Sequence, residues 1–177
     1  IVAALIFFLI ADVIFINRNT HLYFSMGVLL MLLAKGCFIA CFLNKKDFKV
    51  SRLLPFLIFC FIYLSCILYV IFENLNGSYF AQVMLYYFVV LLLALFAFLR
   101  KGAVNTISYR LVFSGVLISF VSDGFTALNL FSKVFYLNAY ISVLITFCYG
   151  ASHYLIVSGL LKENHEDVAL DNVKLID

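Results

Sequence analysis

The chain has 177 residues, 66% of them hydrophobic and only 12% charged, with 21 Phe and 11 Tyr; an ordinary soluble domain is about a quarter charged. A soluble core cannot hide so much apolar surface, so a soluble enzyme or binding module is excluded and an all-α, polytopic transmembrane helical bundle is expected. The formal net charge of +3 is small and the basic residues flank the apolar runs, which excludes nucleic acid as a partner.

Six spans are expected. Ile1 to Ile16 comes first and is short for a crossing that needs about 20 residues. It starts Ile-Val-Ala-Ala-Leu with neither an initiator Met nor a basic segment, unlike a signal peptide or a natural N-terminus, so upstream sequence is expected to be missing. Leu22 to Leu43, Leu53 to Phe72, Tyr79 to Leu99, Thr106 to Leu130 and Tyr136 to Leu161 follow. Polar breaks separate them, among them Asn44-Lys-Lys-Asp-Phe-Lys-Val-Ser-Arg52 and Glu73-Asn-Leu-Asn-Gly-Ser78. Residues 1–161 read as one bundle and 162–177 as a polar, mobile tail.

Basic residues in alternate breaks set the orientation. Lys45, Lys46, Lys49, Arg52, Arg100, Lys101, Arg110 and Lys162 collect on one side, Arg18 and Lys133 on the other. The positive-inside rule makes the first side and the C-terminus cytoplasmic; in a bacterium the protein would sit in the inner membrane. The first and fifth spans then run the same way, each with an aspartate in its outer half, Asp12 and Asp123. That pattern hints at a parallel duplication.

A carboxyl in a spanning helix is expensive to bury and is by default a functional-site hypothesis. Around Asp123 a stripe of Ser108, Gly115, Ser119, Ser122, Thr126 and Asn129 recurs at helical spacing, so this face is expected to meet protein or water. The last span carries Asn138, Ser142, Thr146, Tyr149 and His153 at similar spacing, the second Lys35, and the fourth Gln82 and Tyr86 one turn apart. Together they fit a polar pocket. The plainer readings are helix packing for the small polar residues, a hydrogen-bonded core position for His153, and an ion pair with an aspartate for Lys35. The five cysteines are odd in number and lie inside apolar runs, which argues for packing and against a disulfide framework. Nucleophile-elbow, phosphate-loop and zinc-ligand signatures are absent, and no cofactor or metal is expected.

Gly115-Val-Leu-Ile-Ser-Phe-Val-Ser-Asp123-Gly-Phe-Thr-Ala-Leu-Asn-Leu-Phe131, followed by Tyr149-Gly-Ala-Ser-His153-Tyr-Leu-Ile-Val-Ser-Gly159, resembles the C-terminal half of the YhhN-type lysoplasmalogenase family. Its pattern there is similar to Gly-Ala-x-x-Phe-x-x-Ser-Asp-x-x-Leu-Ala and Tyr-Tyr-x-Ala-Gln-x-Leu-Ile. Ile6-Phe-Phe-Leu-Ile-Ala-Asp12-Val-Ile-Phe looks like its earlier Ser-Leu-x-Gly-Asp-x-x-Leu segment. The resemblance implies about eight spans in a complete member, the first two lying before this chain. Lys35 stands where the family tends to have His, His153 where it has Gln, and Ala11 where it has Gly; Asp12 and Asp123 are kept.

What the resemblance implies is hydrolysis of the vinyl-ether bond of a lysoplasmalogen, giving a fatty aldehyde and a glycerophospho head group. Asp12 and Asp123 are then the expected catalytic acid and base. Lys35, Ser119, Ser122, Thr126, Tyr149 and His153 are the expected substrate-binding residues, and the bilayer supplies the lipid. The alternative is a small membrane transporter or lipid-binding protein in which the same carboxyls are proton or cation sites.

Overall fold

The computed structural model describes residues 1–16, 20–43, 50–73, 75, 77–132 and 139–174, with side chains described for all of these except 50–52, 78, 139 and 164–174. It is all helix among those residues: α1 (Val2–Phe15), α2 (His21–Leu43), α3 (Val50–Phe72), α4 (Gly77–Leu99), α5 (Thr106–Phe131) and α6 (Ala139–Lys174). Each apolar run becomes one helix because, in lipid, only a backbone that satisfies its own N–H and C=O groups is affordable. Five of the six are long and apolar enough to cross a membrane. The fourteen residues of α1 rise only about 21 Å, short of a hydrocarbon layer of about 30 Å.

Residues 136–138, expected to open the last span, lie outside the described residues. The boundaries follow the expected spans closely, with one difference. Helix α6 continues past Leu161 to Lys174, through the segment read as a mobile tail. No Gly or Pro falls between Lys162 and Lys174, so nothing in that segment breaks the helix.

Packing follows the order α1 on α2, α2 on α4, α4 on α5 and α5 on α6, with α3 against α4 and α5. The helices thus form an arc whose ends, α1 and α6, meet through side chains. Large apolar residues such as Leu9, Val13, Phe59, Phe61, Phe147 and Tyr154 point outward, as lipid-facing positions do.

The closest seam is between α5 and α6, where two glycines let the backbones approach. A Cβ on Gly115 would lie 2.8 Å from the Ser152 carbonyl oxygen, and one on Gly159 would lie 2.7 Å from Val112 and 3.0 Å from the Ser108 carbonyl oxygen. Ser108 Oγ donates to the Gly159 carbonyl at 2.8 Å and Ser122 Oγ to the Ile145 carbonyl at 3.2 Å. Small residues and hydroxyl bridges are how helices associate where lipid offers no hydrophobic driving force.

At the end of the bundle where the basic breaks lie, Arg100 follows α4 and is wholly buried. It donates through Nη2 to Glu163 of α6 and to Ser108 of α5, and its guanidinium lies 4.9 Å from the centre of the Phe42 ring. Burial pulls its pKa below the usual arginine value while the Glu163 carboxylate opposes that pull. This cluster ties the loop after α4 to three helices.

Candidate active site

Opposite the Arg100 end, five helices enclose a cavity of about 470 Å³. Asp12 and Phe15 come to it from α1, Val28 and Met31 from α2, Gln82, Tyr86 and Tyr87 from α4, Asp123 and Thr126 from α5, and Thr146 and Tyr149 from α6. The walls are otherwise apolar, which suits a lipid chain beside a few placed polar groups.

Asp123 is the more elaborately held carboxylate. Its Oδ2 accepts from Lys35 Nζ at 2.8 Å and its Oδ1 from the Tyr86 hydroxyl at 2.9 Å. Lys35 stands behind it, 1% exposed, with Ser119 Oγ at 3.4 Å and the Phe8 and Tyr86 rings within 6 Å of its ammonium. An ammonium this deep is tolerable because the carboxylate neutralises it and the aromatic faces favour its charge. Asp12, across the cavity on α1, is held differently. The Tyr149 hydroxyl lies 3.3 Å and 3.4 Å from its two carboxylate oxygens, long contacts with a neutral donor.

Of the residues expected in the site, Asp12, Asp123, Thr126 and Tyr149 line the cavity. Thr126 turns its hydroxyl to the Ser122 carbonyl of its own helix at 2.9 Å. Lys35, Ser119, Ser122 and His153 are absent from the lining. Lys35 and Ser119 support Asp123 from behind, and Ser122 bridges α5 to α6. His153 packs its ring 4.2 Å from that of Phe8 and 4.4 Å from that of Tyr149, and both its nitrogens are buried with no hydrogen-bond partner. Asn138, expected on the polar face of the last span, lies outside the described residues.

Gln82 and Tyr86, grouped with the pocket by their spacing, are both in its wall. The only sequence signal for the bond from Tyr86 to Asp123 is a Tyr at mid-span with a polar residue one turn earlier. The ring wall of Phe15, Phe24 and Phe131 had no signal at all, since Phe recurs throughout the chain.

The motifs around Asp12 and Asp123 thus meet across one cavity, and the YhhN family model matches residues 1–160. The chain belongs to the YhhN family. Comparison with curated proteins and with solved structures gives no match. In this YhhN-family member the two motif aspartates, distant in sequence, share a cavity while their partners differ: a cation and a phenol for Asp123, a phenol for Asp12.

Proposed function

We propose that the protein is an integral membrane hydrolase that cleaves the vinyl-ether bond of lysoplasmalogens, releasing a fatty aldehyde and a glycerophospho head group. The observation that carries this reading is the pair of unequally partnered carboxyls, Asp12 and Asp123, on one largely apolar cavity. Two carboxyls whose surroundings differ are suited to opposite proton roles.

Vinyl-ether hydrolysis begins with a proton delivered to the alkene carbon remote from oxygen. Asp12, with no cation among its hydrogen-bond partners, carries that proton. The resulting oxocarbenium is stabilised by Asp123, whose negative charge is kept in place by Lys35 and Tyr86. Asp123 also takes a proton from the water that attacks the carbon bearing oxygen, giving a hemiacetal. Collapse breaks the bond to glycerol: Asp123 returns its proton to the departing oxygen, and the hemiacetal hydroxyl gives its own to Asp12. One water is consumed, and both carboxyls end as they began. Positioned proton transfer of this kind contributes roughly 10²–10⁴-fold each.

Lys35 is engaged by Asp123 and lies outside the cavity lining, so the head group belongs at the mouth of the cavity. By the basic-residue count that mouth is on the non-cytoplasmic side, with the C-terminus cytoplasmic.

The test is release of fatty aldehyde by detergent-purified full-length protein, with the matching ester lysolipid as control. Aldehyde from the vinyl ether and no turnover of the ester is expected. Lack of aldehyde from folded protein would overturn the reading and favour the transport or binding alternative.

A further inference from the structure

Gln82 is the one cavity residue whose carboxamide orientation can be deduced from its neighbours. Ser25 Oγ donates its single proton to the His21 carbonyl at 2.8 Å, so at its 2.7 Å contact with Gln82 it can only accept. The atom facing Ser25 must therefore be Nε2. That leaves Gln82 Oε1 as an acceptor, and it is buried without a hydrogen-bond partner in a residue of the cavity wall. Buried acceptors are normally paired, and an unpaired one is costly.

Its place along α4 says which donor it would meet. Tyr86, which holds Asp123, lies four residues on, so the two side chains leave the same face with Cβ atoms about 5–6 Å apart. A group read by Gln82 is thus one helical turn from the group attacked at Asp123, on the side of the α3–α4 connection. In a single-chain glycerolipid whose ether carbon sits at Asp123, the free hydroxyl on the adjacent glycerol carbon is the neighbouring donor.

We propose that Gln82 is a specificity-determining residue that accepts a hydrogen bond from the free sn-2 hydroxyl of a lysolipid. The assignment rests on the substrate class proposed above. The terminal amide torsion is broad, so a small rotation presents Oε1 to the ligand while Nε2 stays on Ser25. An acylated sn-2 oxygen offers no proton, leaves Oε1 unpaired and adds a chain the cavity must hold. Discrimination against substrates that lack a required donor is the strongest form available to a buried polar site.

The test is binding, which does not depend on turnover. A non-hydrolysable 1-O-alkyl lysolipid and its 2-deoxy counterpart are titrated into wild-type protein and Gln82→Met in detergent. Wild type is expected to bind the hydroxyl ligand about tenfold more tightly, the scale of one good hydrogen bond, and Gln82→Met to bind both with the weaker affinity. Equal binding of the two ligands by wild type would overturn the assignment, whether or not the variant folds. So would a variant that keeps the preference, and so would absence of binding by either ligand. Aldehyde release assayed in parallel separates the two readings: an inactive protein that prefers the hydroxyl ligand sinks the hydrolase and keeps Gln82, while an active protein indifferent to the hydroxyl does the reverse.

Discussion

Lys35 Nζ sits 2.8 Å from Asp123 Oδ2, with the two side chains 1% and 9% exposed, so each is the other's means of existing inside the bundle. Breaking a buried pair by removing one partner leaves an uncompensated charge and costs roughly 3–5 kcal/mol. Lys35→Met and Asp123→Asn are each expected to be destabilised on that scale, and the double variant by much less than the sum. Denaturation of purified protein in detergent reads this directly. Additive losses would mean that the pair is not coupled.

That pair also marks where the sequence stopped being informative. Lys35 and Asp123 were each conspicuous because a charge in an apolar run demands a reason, and an ion pair between Lys35 and an aspartate was one of the readings open for it. Which aspartate, and whether a lipid phosphate took the place instead, depends on α2 and α5 both packing against α4, which no local pattern encodes. The helices themselves were legible because a membrane leaves the backbone few choices. Ser119, Ser122 and His153 show the limit from the other side: polar residues at helical spacing look alike whether they line a cavity or pack behind it.

The two phenols that hold the acids are expected to act differently. Tyr86→Phe removes a 2.9 Å bond to the carboxylate paired with Lys35 and should lower kcat about tenfold or more, the scale of one hydrogen bond to a charged group. Tyr149→Phe removes longer contacts to Asp12 and should lower kcat less. Steady-state kinetics on the vinyl-ether lysolipid check the order, and a larger loss in Tyr149→Phe would contradict the roles given to the acids.

Gly115 and Gly159 hold α5 against α6. Gly115→Ala places a methyl group 2.8 Å from a backbone oxygen, and overpacking of that kind costs about 1–3 kcal/mol. Gly150→Ala on the same helix pair meets nothing within 4 Å and is expected to be neutral or slightly stabilising through helix propensity. Thermal unfolding of the two variants side by side checks the seam.

Placement of the cavity at the end away from the basic breaks gives a sidedness expectation. In a cysteine-free background, Thr146→Cys, at the cavity wall, should react with a membrane-impermeant thiol reagent added from the non-cytoplasmic face. Labelling from the cytoplasmic face alone would reverse the orientation.

The most direct measurement compares fatty aldehyde release from a lysoplasmalogen by wild type, Asp12→Asn and Asp123→Asn, each confirmed as folded by its unfolding transition. Turnover by wild type and its loss by at least about 10²-fold in both variants, the lower range for a positioned proton-transfer group, is expected if the two carboxyls act as acid and base. Unchanged turnover in either variant would contradict the central claim.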